Sequence, residues 1–288
     1  MHMTHNNRIS RRRYLVLAIV AVIWAGSCST LQPPDPNGPR PTAPAYPIPM
    51  IDEAANPEDT LIAWRQLAPR YGSSNQSEIT LDPLTATIKA LPRNVTAPIL
   101  LPKIGAEATP TEEETRESLR RFIDDWRVLI GAQPAQLSLV ERTDEPSGVK
   151  LARYEQRPFR YALRGQYGKL LIRFNNDRHL IDLSSSCIRN AERFQTALSA
   201  VTPKVSAEDA VAHVRGRTVN LTDANGRLQS FTLSANEVAE TTQLVVYALP
   251  SSDRSRLELH VAWEIETPNA GVKKVYLDAV SDEIIAAE

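Results

Sequence analysis

Two cysteines among 288 residues leave no room for a disulfide framework, so whatever folds here is held by its core. Histidine is scarce as well: of five, only His179, His213 and His260 lie beyond residue 5. No HExxH sets two of them on one helical face, which removes the common zinc-hydrolase arrangement. The 11 glycines form no Walker or Rossmann pattern to cradle phosphate, and no GxSxG elbow frames Ser184-Ser185-Ser186. His260 alternates with Glu258 and Glu264 in LELHVAWEIE. Alternate strand residues can share a metal, and a solvated polar face explains the same letters. No catalytic residue, metal or cofactor is therefore assigned, and the expectation is a protein that is not an enzyme.

A long hydrophobic run is also missing. The longest, YLVLAIVAVIWAG, has about 13 residues against the roughly 20 of a comfortable membrane span. It follows Arg8 and Arg11-Arg12-Arg13 and precedes Ser27-Cys28. A basic start, an apolar core and small residues before a break describe a secretory signal over residues 1–27. Ala25-Gly26-Ser27-Cys28 resembles the lipobox of bacterial lipoproteins, which implies cleavage before Cys28 and diacylglycerol on its thiol, with the lipid bilayer as partner. A simple secretory signal and an uncleaved anchor are the alternatives. Ser29, where Asp would retain a lipoprotein in the inner membrane of diderm bacteria, leaves the outer membrane as the expected site there. In a monoderm cell it would be the outer face of the plasma membrane. With Cys28 lipidated, Cys187 has no partner and reads as a small buried apolar residue.

Without residues 1–27, which hold four arginines and no acid, 29 basic residues face 34 acidic ones, a net charge of −5. That balance argues against nucleic acid as partner, since phosphates are held mainly by basic residues. Residues 28–57 read as the lipidated cysteine and a tether. Within them QPPDPNGPRPTAPAYPIP carries eight of the 21 prolines, favours polyproline II and reaches roughly 3.1 Å per residue. A PxxP ligand is the other reading of the stretch.

Beyond it, the pattern predicts an α+β fold in two consecutive antiparallel-sheet units, each packed by a helix, over 58–195 and 200–288. In TPTEEETRESLRRFIDDWRVLIGA, the residues Leu119, Phe122, Ile123, Trp126, Leu129 and Ile130 form one stripe of helical period. Thr111 with Glu114 predicts a capping box, and Gly131 a stop. KLARYEQ (150–156), KLLIRF (169–174) and HLIDLSS (179–185) read as strands, the last two joined at Asn175-Asn176-Asp177. The second unit repeats the scheme: a helix capped by Ser206 in VSAEDAVAHV, then strands at 243–249, 256–267 and 272–279. In the long strand Leu257 to Ile265 alternate with Glu258 to Glu266, so one face is expected in the core and the other in water.

The order of these segments resembles the propeptide domain of fungalysin- and thermolysin-type metallopeptidases, followed by a PepSY domain. The resemblance is carried by Arg153-Tyr154-Glu155-Gln156, the hairpin Leu170 to Leu183, the opening EITLDPLTATIKALPR (78–93), SAEDAV, LHVAWEIET and the closing VYLDAVSDEII. It departs from the family at three turns: Ala86 stands where Gly is usual, Asn176-Asp177-Arg178 lacks its Gly, and Ser281-Asp282 replaces Thr-Gly. In the peptidases the closing hairpin leads into the catalytic domain, and here the sequence stops at Glu288. The resemblance thus implies a membrane-anchored, non-catalytic protein of the bacterial cell envelope that binds, and inhibits or chaperones, a secreted metallopeptidase. An envelope scaffold or assembly lipoprotein with no peptidase partner is the alternative, and a hydrolase with an unrecognised site is a third.

For a binding face the sequence offers RYEQRPFRYALRGQYGK (153–169). Arg153, Arg157, Arg160 and Arg164 with Phe159 and Tyr161 are the mixture that interfaces favour. The alternative is that the arginines pair with sheet acids while the aromatics are core.

Overall fold

A computed structural model describes residues 45–50, 56–71, 79–92, 97–106, 110–222, 228–234, 242–268 and 271–288. The signal segment, the lipobox and Cys28 lie outside these, as does most of the Pro-rich stretch. The described residues belong to one unit, Pro44–Glu288, and its class is α+β with antiparallel sheets.

The first layer grows from the amphipathic helix. Helix α1 is Pro57–Leu67 and helix α2 is Glu112–Asp125. At the start of α2 the Thr111 hydroxyl accepts the Glu114 N–H at 3.2 Å and the Glu114 carboxylate accepts the Thr111 N–H at 2.7 Å, completing the capping box. The helix is not continuous to Gly131 as the periodicity predicts. Trp126 leaves the helical region at φ −101°, ψ 12°, and a separate turn, α3 (Arg127–Ile130), ends at Gly131 with φ +81°. The whole stripe is nevertheless buried, and Trp126 lies among Phe122, Tyr71 and Trp64 at ring separations of 4.9, 6.0 and 6.2 Å.

That stripe packs on a four-stranded antiparallel sheet: β4 (Leu137–Asp144), β5 (Val149–Gln156), β7 (Lys169–Asn175) and β8 (Leu180–Ser185), in that order. Leu170, Ile172 and Phe174 face the helices with Ala152 and Leu183. A small hairpin, β2 (Thr80–Leu81) with β3 (Ile88–Ala90), lies beside β8, where the Thr87 hydroxyl donates to the Ser185 carbonyl at 2.8 Å.

The second sheet has the order β14-β13-β12-β11-β6, and β1 also pairs with β12. Its strands are β11 (Thr242–Pro250), β12 (Leu257–Glu266), β13 (Lys274–Asp278), β14 (Ile284–Ala287), and two from earlier in the chain, β1 (Ile48–Met50) and β6 (Ala162–Arg164). β6 runs parallel to β11, with Leu163 opposite Val246. Thus Ile48–Met50, at the end of the stretch read as a tether, is a strand opposite Leu257–Leu259. One face of the sheet is covered by helices α4 (Gln195–Ala200) and α5 (Ala207–Val214), whose Leu198, Ala210 and Val211 join Val261, Ile265 and Leu277. Ser206 caps α5 by accepting the Asp209 N–H at 3.1 Å. A two-stranded ribbon, β9 (Thr218–Thr222) with β10 (Leu228–Thr232), completes the fold.

The other face of β12 is not in water. Ala262 is 0% exposed and Glu264 3%. Tyr247 and Tyr276 bring their rings to 4.4 Å on this side, packed with Val245 and Ala262. Alternation of letters reads as one wet face, and here aromatic rings and paired charges close it.

Among the described residues, five non-glycine residues adopt the left-handed conformation: Ala86, Arg178, Asn190, Arg254 and Asp282. Three of them occupy the turns where the resembled family carries glycine. Side chains with a Cβ are strained there. Ala86 is 2% exposed, at φ +53°, in a turn fixed by its own N–H to the Asp82 carbonyl at 2.9 Å. Ala86→Gly is expected to raise unfolding free energy by about 0.5–1 kcal/mol, since relief of strain outweighs glycine's greater unfolded-state entropy. Guanidinium denaturation of the two proteins measures it.

Candidate binding surface

The strip 153–169 starts in β5, crosses to β6 and returns to β7, so it joins the two sheets. Gln156 governs the departure. Its buried side-chain amide donates to the Ile188 carbonyl and accepts the Ile188 N–H, both at 2.8 Å, which accounts for an amide at this point of the Arg-Tyr-x-Gln strand. The chain then swings out through Arg157, whose N–H donates to the Gln136 carbonyl at 2.8 Å. Gly168 closes the excursion at φ +74°. A Cβ there would meet the tip of the Leu163 side chain at 2.3 Å and force it to shift, and the positive φ itself favours glycine.

The six expected contact residues are not one patch. Arg153 is exposed on the outer face of β5 and pairs with Glu141 at 3.3 Å. Arg157 and Arg160 are exposed at the far end; Arg160 stacks 5.6 Å from the Tyr161 ring, and its backbone N–H donates to Gln195 Oε1 at 3.1 Å. Phe159 and Tyr161 are half-buried against the core of the second sheet. Arg164 points inward: its Nε donates to Glu264 Oε2 at 2.5 Å. Two of the four arginines therefore pair with sheet acids, and the aromatics pack on core. The accessible remainder is Arg157 with Arg160.

Around Glu264 the structure assembles a network that residue spacing alone does not announce. Its carboxylate also accepts Lys274 Nζ at 2.9 Å and Gln243 Nε2 at 2.6 Å. Burial pushes its pKa up, and these three donors outweigh that and hold it down at about 2. Next to it the hydroxyls of Tyr247 and Tyr276 each donate to the Glu288 carboxylate at 3.2 Å. Both phenols titrate above their ordinary value, chiefly through burial and then through nearby carboxylates.

A second cluster pins the closing turn. Asp278, 1% exposed, accepts from Tyr46 at 2.8 Å and faces His260 Nδ1 at 2.7 Å through Oδ2, while Oδ1 takes the N–H groups of Val280 and Ser281 at 2.8 and 2.9 Å. Four residues on, Asp282 faces His213 Nδ1 at 2.9 Å and accepts Arg217 at 2.7 Å. Two of the three histidines are thus partners of structural carboxylates. His260 does not share a metal set with Glu258 and Glu264, and among the described residues no group of three or more side chains is placed to hold a metal ion.

The serine run is equally occupied. Ser185 and Ser186 donate their hydroxyls to the carbonyls of Ile130 and Gln166 at 2.6 and 2.8 Å. Cys187 is fully buried, and burial pushes its thiol up to about 12, so it stays a neutral apolar filler.

Sequence reasoning missed Tyr46, Glu264 as a hub, and Asp278. The last had a signal: an acid directly before a four-residue turn is a common backbone-capping choice. Burial raises the Asp278 pKa, and its donors, His260 first, lower it further, leaving it below the ordinary carboxylate value. A depressed carboxyl stabilises the fold above its unfolded pKa, about 3.9, and that contribution disappears as pH falls through the folded value. Asp278→Asn is expected to cost roughly 1–3 kcal/mol at neutral pH. It should also flatten the acid limb of the stability curve below about pH 4, as followed by denaturant melts across pH. Compared with known proteins, the chain matches no family model and no curated protein.

Proposed function

We propose that this is a non-catalytic lipoprotein of the bacterial envelope that binds, and inhibits or chaperones, a secreted metallopeptidase. The observation carrying this reading is the set of three left-handed turns at Ala86, Arg178 and Asp282. They fall at turns where the resembled propeptide and PepSY sequences carry glycine, and a left-handed backbone at these positions supports the resemblance. The finer architecture in this reading is a propeptide-like unit over 58–195 and a PepSY-like unit over 200–288, following a signal over 1–27 and a tether. Lipidation at Cys28 supplies the anchor, in the outer membrane of a diderm cell or on the outer face of a monoderm plasma membrane. The inventory around the strip supports binding without turnover. Glu264 is engaged by Arg164, Asp278 by His260, and the hydroxyls of Ser185 and Ser186 by backbone carbonyls, while Arg157 with Arg160 remain accessible for contact.

Two outcomes test it. Cys28→Ala, expressed in the source cell, should leave the protein unprocessed by the lipoprotein pathway and without incorporated palmitate; a labelled Cys28→Ala protein would remove the anchor from the reading. Affinity capture of the wild type from crosslinked envelopes should recover a thermolysin-like peptidase, whose activity the purified protein then changes. Recovery of envelope-assembly proteins alone would favour the scaffold alternative. Hydrolysis by the purified protein, abolished by chelation, would overturn the non-catalytic reading.

A further inference from the structure

The four-stranded sheet has two ends of unequal character. At β8 the edge is flanked by the β2–β3 hairpin through Thr87 and by a bridge between Leu100 and His179. At β4 no described strand pairs with the outer side, and the edge runs for eight residues. Sheet edges are usually kept short, charged or bulged, because their free N–H and C=O groups recruit other strands. β4 carries a bulge between Leu139 and Glu141, yet Leu139 and Val140 are 37% and 44% exposed.

Beside this edge lies an open groove of about 430 Å³ between β4 and helix α2. Leu137, Leu139, Tyr154 and Ile123 form its apolar walls, and Arg116 and Arg120 rise from the helix; no acidic residue lines it. Arg142 of β4 also approaches Glu112, at the start of α2, at 3.7 Å. Arg116 and Arg120 are half-exposed and pair along their own helix with Glu112, Glu113 and Glu117. The exposed Arg116 pairs are weak and exchangeable, whereas Arg120 grips Glu117 with two hydrogen bonds at 2.7 and 2.9 Å, so an incoming carboxylate has to share that guanidinium.

We propose that the β4 edge and this groove receive an extended peptide segment of another protein as a fifth strand. One large apolar side chain enters the groove and a carboxylate two residues away meets Arg116 and Arg120. Side chains two residues apart on a strand share one face about 6.7 Å apart, so an apolar residue and an acid at that interval both point toward the groove, whose two arginines lie one helical turn, about 6 Å, from each other. Backbone pairing supplies affinity and the groove supplies selectivity. A second copy of the chain paired about Glu141 or Arg142 would set like charges opposite each other, whereas pairing about Val140 would not, so the oligomeric state is part of the test. The inference stands on the edge and groove alone and does not require the partner to be a peptidase.

The test is selection of random-peptide phage on the immobilised full-length protein, followed by fluorescence anisotropy with the enriched peptides. These should share an apolar residue with an acid two positions away. Leu139→Lys should weaken their binding about tenfold, through loss of apolar contact, and Arg120→Gln should weaken the acid-bearing peptides selectively. Both residues are on the surface, and unchanged circular dichroism controls for folding. Failure to enrich any peptide, or enriched peptides indifferent to both substitutions, would overturn the proposal. So would a concentration-dependent dimer abolished by Leu139→Lys, which would give the edge to a second copy.

Discussion

A carboxylate at 3% exposure has to be satisfied from all sides, and Glu264 draws its donors from three different strands. Arg164 comes from β6, Gln243 from β11 and Lys274 from β13. A buried anion left without such partners is strongly unfavourable. The position of β6 in the second sheet is therefore coupled to the charge on β12. Because β6 lies in the chain between β5 and β7, that single requirement ties the geometry of the first sheet to the second. The Gln156 amide, holding Ile188, fixes where the chain leaves and re-enters the first sheet.

Polar groups elsewhere follow the same logic of closing turns. Arg189 donates to the carbonyls of Ala86 and Val128 at 3.0 and 2.6 Å and to the Thr60 hydroxyl at 2.6 Å, drawing α1, the β2–β3 turn and α3 together. Asp82 gathers the N–H groups of Leu84 and Thr85 in the turn that Ala86 completes. Asp278 and Asp282 do this for the closing hairpin with two histidines. The Asp278 carboxylate takes backbone N–H groups, and that of Asp282 takes the side chains of His213 and Arg217.

Much of the fold was legible because it obeys local periodicity. The buried stripe from Leu119 to Ile130, the capping box at Thr111 and the alternation in β7 are short-range patterns that tertiary packing confirms. What was illegible depends on distant partners. β4 is absent from the strands the sequence predicts: its bulge at Val140 breaks the period of two, and five of its eight residues are exposed at an edge. β1 and β6 are three residues each and are strands only because β12 and β11 lie next to them. Trp126 interrupts a helix that its spacing would continue. For the binding strip, composition identified arginines and aromatics but not direction, and Arg164 turned out to face the interior.

The short strand β1 has a mechanical meaning. Tyr46 grips Asp278 and the backbone of Val261, and Ile48–Met50 is laced to Leu257–Leu259. Any tension on the chain ahead of Tyr46 consequently arrives at β12, which lies between β11 and β13 in the larger sheet. A pull on this end of the chain is therefore received by an interior strand of the larger sheet, while α2 and β4 belong to the other one.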